Sequence, residues 1–476
     1  MTFAQRVLTA IAIRKRSLRE YAGFDSSIGR LVFGAAGMAL AAAYQLLGSR
    51  LKAVEVAAAV HRAAYTSLTD RLSWRLVSRD LQTATISARY IATSGSAPST
   101  QRFIDEPERL LGTRILVLKS PSTNERGIVV LDYSFVFSLF ARLFDVEAIA
   151  QRYYLVFEPS WSGYCDLDIL SYSQFAFPVF VQSVEPRDTE VLGRAGNNFV
   201  PVPTAANWWI DHRLIRPIPD TPKNLDIVMI ASWAAFKRHH RVFKTLQTLR
   251  RRGHVLTMAV AGYPSGLSKD DILRQADYFG IADQIEVHEW LSPSDVNVLY
   301  NRAKVNLLWS RREGFNRGVI EGMLANVPCI MRTGFNYGFC LPYLNALTGR
   351  FCAEQDLPAT LLEFRDSHHR YHPRDWVLSH MSCQSATEAL TTAIRPVALG
   401  LGETWSRDPV VKVGALNRMA YWDEQDGKRF AADYEFLKSA RRPGADRPIP
   451  QAPLPQRVVQ PGASGRRPDT VPSTHS

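Results

Sequence analysis

The chain has 476 residues, 46% hydrophobic, 11% aromatic and 21% charged, a balance that excludes a collagen-like, a fully disordered or a disulfide-stapled protein. Its formal charge of +12 is unevenly placed: residues 1–64 hold nine Lys/Arg against three Asp/Glu, the last 36 residues hold six Arg against two Asp, and residues 65–440 keep a net of +2. A body this close to neutral argues against a nucleic-acid binder, whose contact surface would carry the excess.

Residues 1–110 read as a helical extension. TFAQRVLTAIAIRKRSLREYAGF places Phe3, Val7, Leu8 and Ile11 near one helical face, with Arg14, Lys15, Arg16 and Arg19 close behind. Residues 31–48 (LVFGAAGMALAAAYQLLG) then carry no charge over 18 positions, between Arg30 and the pair Arg50 and Lys52. Eighteen is the lower edge of a membrane span. Eleven of them are not strongly apolar, however, and Gln45 interrupts the run. Three readings stand: a span, a helix lying on a membrane surface, and a soluble helix whose Ala35, Ala39 and Ala43 suit close packing. About thirty residues precede the run, which does not suit a cleaved signal peptide.

After the breaker cluster SGSAPST (94–100), short apolar runs alternate with helical segments. Residues 111–219 form a first α/β unit through RILVLKS, GIVVLDY, the helical FVFSLFARLF and YYLVFEP. A second unit, 220–400, opens after PIPDTPKN. It runs through LDIVMIAS, HVLTMAVAG, QIEVHEW, KVNLLWS and VPCIMRT, each pair of strands separated by a helical pattern. No GxGxxG follows any of these strands, so a dinucleotide oxidoreductase is poorly supported. Residues 401–440 read as terminal helices returning to the first unit. The Pro/Arg-rich segment 441–476, with eight prolines and no aromatic residue, reads as a disordered tail. The five cysteines contain no CxxC pair and read as buried thiols in a reducing compartment. His368, His369 and His372 in SHHRYHPRD read as a surface loop and not as a metal site.

The chemistry concentrates in SRREGFNRGVIEGMLANVPCI. Glu313 and Glu321 stand eight positions apart, a spacing with little meaning alone. Gly314 and Asn316 lie between a buried strand ending at Ser310 and a helix beginning near Arg317, where small residues let backbone N–H groups approach an anion at the positive helix end. Asn326 suits a left-handed helix stop, and Pro328 prevents continuation. Two carboxylates facing a neutral ligand suit sugar hydroxyls, since each can accept in a fork. Upstream, Lys237 and Arg238 in IASWAAFKRHH follow the first strand of the unit, where cations can meet a diphosphate; an ordinary basic helix start is the plainer reading of that pair.

Together these residues give the window from about Ile227 to Arg350 a likeness to a known family. It resembles the donor-binding domain of the retaining group 1 glycosyltransferases, family 4, with its Glu, Gly-Phe-Gly, second Glu and closing Gly and Pro; here they read Glu313, Gly314-Phe315-Asn316, Glu321, Asn326 and Pro328. The resemblance implies an α/β protein of the GT-B fold, two Rossmann-like domains facing a cleft. It implies Lys237 and Arg238 on the donor diphosphate in place of a metal ion, and Glu313 on the transferred sugar. Gly314, Phe315 and Asn316 would help bind phosphate or sugar oxygens, and Glu321 would accept from the ribose hydroxyls. Lys237, Arg238 and Glu313 are then the catalytic set, with a nucleotide sugar as donor and neither cofactor nor obligatory metal. Two departures stand out: Trp233 occupies a position where the family commonly has Arg, and Asn316 replaces the second Gly.

The first unit is short for the acceptor-side domain. In EPSWSGYCDLDIL, Trp161 and Tyr164 are candidates for an acceptor loop, because aromatic faces stack on sugars; packed loop aromatics are the plainer alternative. Asp166 and Asp168 form a DxD that would hold a metal in the unrelated GT-A enzymes. The expected partners are a carbohydrate or lipid-linked acceptor and an anionic membrane surface met through residues 1–64, with no nucleic acid. The expected place is the cytoplasm or the inner face of the membrane, and the expected setting is bacterial-type polysaccharide or glycoconjugate synthesis. A non-catalytic, nucleotide-binding scaffold subunit is the alternative.

Overall fold

A computed structural model describes residues 2–81, 84–95, 97–160, 165–334, 342–415 and 418–442. Trp161, Tyr164 and Cys340, and all of the tail beyond Arg442, lie outside them. Two α/β units follow a helical extension, the first built on a five-stranded sheet and the second on a six-stranded parallel sheet, as the sequence leads one to expect.

The first sheet contains β1 (Ile115–Lys119), β2 (Gly127–Asp132), β3 (Tyr153–Glu158), β4 (Val179–Gln182) and β5 (Phe199–Val202). β1 to β4 are buried along their whole length, as continuous apolar runs in a covered sheet require. Spatial order equals chain order, with β1 antiparallel to β2 and the rest parallel. Right-handed crossovers in one direction place the connecting helices on one face and create no reversal of strand order. β4 and β5 have only four residues each and carry no clear sequence signal. Pro201 sits in β5 without breaking the ladder because β5 is an edge.

The second sheet contains β6 (Leu225–Ile230), β7 (Met258–Gly262), β8 (Ile285–Glu289), β9 (Ala303–Leu308), β10 (Cys329–Arg332) and β11 (Gly349–Cys352), all parallel, in the order β11-β10-β9-β6-β7-β8. Winding runs outward in both directions from β6, so strand order reverses between β6 and β9. In such sheets the loops leaving the two central strands diverge to opposite faces and open a crevice at their carboxyl ends.

The end of the chain returns to the first sheet, partly as a hairpin that the reading of 401–440 as helices misses. β12 (Lys412–Ala415) pairs with β13 (Arg418–Tyr421). The Tyr421 hydroxyl donates to the Val117 carbonyl at 2.9 Å, and Asp433 accepts from Tyr153 at 2.5 Å and from Ser120 at 2.6 Å. The hairpin also reaches the second unit, where Arg317 donates to the Gly414 carbonyl at 3.2 Å.

Five helices open the chain: α1 (Phe3–Glu20), α2 (Ser27–Leu46), α3 (Arg50–Ala63), α4 (Ser67–Leu81) and α5 (Ala84–Thr93). A π-turn, Tyr21–Asp25, separates the first two. α2 packs antiparallel on α3, but not through Ala35, Ala39 and Ala43, which are exposed. The buried positions are Gly34 and Ala41; a Cβ on Gly34 would stand 2.8 Å from the Thr69 methyl, and one on Gly37 2.5 Å from Val60. Each residue turns the helix by about 100°, so neighbouring small residues define seams on different faces, and only the packing partner selects between them. α2 is long and apolar enough to cross a membrane, and 11% of its most apolar window is buried.

Candidate functional site

At the carboxyl ends of β6 and β9, where strand order reverses, two loops meet. After β6 the chain continues the ladder through Trp233, whose N–H donates to the Tyr263 carbonyl at 2.8 Å and whose ring is fully buried. Trp233 is thus a core residue at the position where the resemblance has a cation. A 3-10 turn, Ala235–Lys237, follows, then Arg238 in the left-handed region (φ 61°), and then the helix His239–Arg251. After β9, Trp309 and Ser310 are buried, and the Arg311 N–H donates to the Phe236 carbonyl at 2.7 Å, tying one loop to the other.

Across this tie Lys237 meets Glu313. The ammonium donates to both carboxylate oxygens, at 2.7 and 2.8 Å, and both side chains are buried. The pair sits at the reversal point of the sheet. A buried charge is stable only when neutralised, so without a ligand each satisfies the other.

Arg238 points elsewhere. It bonds Glu354 at 2.8 Å and Glu20, at the end of α1, at 3.3 Å. The two residues of the basic pair therefore have separate partners. Phe315 belongs to the hydrophobic core, so at that position the loop offers a ligand its backbone and not the ring. The Asn316 side chain caps the helix Arg317–Leu324 by accepting from the Val319 N–H at 2.9 Å, which explains Asn in place of Gly. Its carbonyl accepts from Asn207 of the first unit at 3.3 Å.

Two glycines that the motif alone did not explain seat this helix. A Cβ on Gly318 would stand 2.9 Å from the Ile230 carbonyl at the end of β6, and one on Gly322 would collide with the Asn306 amide of β9. The helix thus approaches the two central strands closely. Asn326 closes it with φ 61°, as its sequence position suggests. Glu321, one turn into the helix, pairs with Arg317 at 3.3 Å and not with the Lys237–Glu313 pair.

His239 and His240 begin the helix behind Lys237. Both are buried, and neither His239 ring nitrogen has a partner among the described residues. Burial first, and the neighbouring cations second, push both imidazoles down to about 3. The unfolded chain therefore binds protons below pH 6.5 that the fold refuses; the stability from these groups is full above 6.5 and falls as pH drops towards 3. Relative to His239→Leu, the wild type should lose about 1.4 kcal/mol per pH unit below that point, measured by urea unfolding across pH.

The first unit presents a second buried cluster that sequence reading missed. Asp132 and Glu158 are register partners at the ends of β2 and β3, and Gln182 ends β4 beside them, donating to Glu158 at 3.0 Å. Lys412 of the returning hairpin is wholly buried, 2.7 Å from Glu158 and over the Trp209 ring at 4.1 Å, while Arg114 donates to Asp132 at 2.7 Å. Burial, then the Glu158 charge, pushes the Asp132 carboxyl up to about 7. Acidic residues ending two apolar runs were the available signal.

The DxD is structural. Asp168, half-buried, accepts from the Tyr90 hydroxyl at 3.1 Å and from Ser138, and Asp166 pairs with Arg62 at 3.3 Å, so the motif fastens α3 and α5 to the first unit. Burial, then Asp166, pushes the Asp168 carboxyl up to about 8. Among the described residues no group of His, Cys, Asp and Glu could hold a metal ion. Cys165, Cys329, Cys352 and Cys383 are free and buried.

Residues 212–355 match the family model for glycosyl transferases group 1. The match covers the whole β6–β11 sheet with both of its site loops. No curated protein matches the chain. Among solved structures, sucrose-phosphate synthase from Thermosynechococcus elongatus is similar at 13% identity and a TM-score of 0.44, over 58% of this chain and 74% of that one. A variant of S. aureus TarM in complex with Fondaparinux, alpha-GlcNAc-glycerol and UDP is similar at 13% and 0.42, over 51% of each chain. Anabaena HepE in complex with UDP-glucose is similar at 12% and 0.41, over 53% and 74%. Similarities this distant assign neither activity nor substrate.

Proposed function

We propose that the protein is a retaining glycosyltransferase that moves a sugar from a nucleoside-diphosphate sugar to a carbohydrate or lipid-linked acceptor at the cytoplasmic face of a membrane. The observation that carries this reading is the Lys237–Glu313 pair at the strand-order reversal of a sheet matched by the group 1 model.

A donor entering the crevice brings negative phosphates towards Lys237 and towards the uncapped first turn of the helix His239–Arg251, whose N–H groups are positive. The ammonium then stabilises charge growing on the leaving diphosphate, and the Glu313 carboxylate, released from Lys237, accepts from hydroxyls of the transferred sugar. Lys237 performs the neutralisation that a divalent ion performs in metal-dependent transfer. Glu321, solvent-reachable on its helix, remains the acceptor for the ribose hydroxyls. Residues 1–64 would hold the enzyme at an anionic membrane surface, where a lipid-linked acceptor resides.

The test is a thermal-shift panel of UDP, GDP and ADP sugars. A cognate donor at 100 times its dissociation constant should stabilise the protein by about 2.7 kcal/mol. No shift with any nucleotide would overturn donor binding, and a shift without measurable transfer would favour a nucleotide-binding scaffold subunit.

A further inference from the structure

The end of α1 lies on the donor unit. Glu20 is only 9% exposed, at the close of a helix that is otherwise mostly solvated. Its carboxylate accepts from Arg238, and Arg241 and Arg311 act on it as well, opposing the effect of burial. Arg311 also donates to the Glu20 carbonyl at 3.4 Å, stacks on the Phe24 ring at 3.6 Å and faces Asp25 at 3.8 Å. An anionic group thus already rests among three guanidiniums, one of them next to Lys237. That is the chemistry a donor diphosphate requires, supplied by the chain itself.

The outward side of the same segment is apolar and basic. Leu8, Ile11 and Leu18 of α1 and Leu31, Val32 and Phe33 of α2 are about half exposed or more. Between the two helices runs a groove of about 780 Å³, with Phe24 and Tyr65 in its lining together with Arg14, Lys15 and Arg19. Tyr65 stands 6.4 Å from both Phe24 and Phe33, so aromatic rings connect the exposed face of α2 to the residue stacked on Arg311. Of the three acidic residues in 1–64, Glu20 and Asp25 are the two turned onto the donor unit, which leaves the outward side to cations. An apolar face bordered by cations that form no ion pair among the described residues is complementary to an anionic bilayer and not to a second copy of itself.

We propose that α1 and α2 dock on an anionic bilayer and that docking withdraws Glu20 and Phe24 from Arg238 and Arg311, opening the phosphate site to the donor. The proposal rests on the donor reading above. Insertion of Phe33 and its neighbours shifts the ring stack, and the bilayer supplies the energy that separates Glu20 from its guanidiniums.

The experiment uses the full chain with vesicles of phosphatidylglycerol and phosphatidylcholine in equal parts, or of phosphatidylcholine alone. Hydrogen exchange over residues 18–25 reads the latch, and titration with UDP, GDP and ADP reads the site. Anionic vesicles should sediment the wild type, speed exchange in 18–25 and tighten nucleotide binding about tenfold. Glu20→Gln should show the fast exchange and tighter binding without vesicles and gain little from them. A variant with Arg14, Lys15 and Arg19 changed to Glu should lose sedimentation and the vesicle effect. Vesicle binding that leaves exchange in 18–25 unchanged, or a Glu20→Gln affinity equal to that of the wild type, overturns the proposal. Fast exchange on anionic vesicles with no nucleotide bound by either protein supports the latch and overturns the donor reading instead.

Discussion

Lys237→Met is expected to lower the rate of sugar transfer by about 10²–10³-fold, because one preorganised donor aimed at a developing charge contributes roughly that much. The side chain is buried and bonded to both oxygens of Glu313, so the substitution also removes the ammonium from a buried ion pair, at a cost of about 3–5 kcal/mol. The double variant Lys237→Met, Glu313→Gln separates the two effects. It replaces a buried ion pair by neutral groups of similar volume and should recover most of the stability in urea unfolding, but none of the transfer rate. Activity that survives in either variant would remove Lys237 from the catalytic set.

Lys412→Met is expected to destabilise the first unit by about 3–5 kcal/mol, the usual cost of removing one partner of a buried ion pair. Lys412 is the cation beside Glu158, and without it two adjacent buried carboxylates keep Arg114, which donates to Asp132, and the neutral Gln182, which donates to Glu158. The sign of the pH dependence follows. Carboxyls whose folded affinity for protons exceeds the unfolded one destabilise the fold as pH rises through their range, and burial beside Glu158 already pushes the Asp132 carboxyl up to about 7. The deficit should be largest near about pH 8 and shrink towards about pH 5.5, read as the difference in urea unfolding free energy from the wild type. A deficit independent of pH would show that packing against Trp209, and not charge, is what Lys412 provides.

The second α/β unit was legible in the sequence because its signals are local. Each strand is a short apolar run, each turn has its breaker, and Asn326 and Pro328 mark a helix end within three residues. The roles of Asn316 and Arg238 were less legible. Asn316 caps its helix, a bond three residues long that its spacing from Val319 could have suggested. Arg238 bonds a residue 218 positions away, on a helix whose place no local pattern reveals. The same limit hid the Asp132–Glu158–Lys412 cluster and turned a DxD into a structural clamp.

The feature that directs this protein to its chemistry divides in the same way. Composition and order along the chain determined that the body is nearly neutral, that a helical extension precedes two alternating α/β units, and that Lys237 and Glu313 lie on loops after apolar strands. These follow from hydrophobic periodicity and turn chemistry, which act over a few residues. Only the tertiary structure decided that the two loops meet, because that depends on β6 and β9 lying side by side, while Lys237 and Glu313 stand 76 positions apart in sequence. It also decided that the basic, apolar amino end reaches the second α/β unit through the bond from Arg238 to Glu20. Strand order and the seat of a helix are set by burial of surfaces far apart in the chain, and no local pattern encodes them.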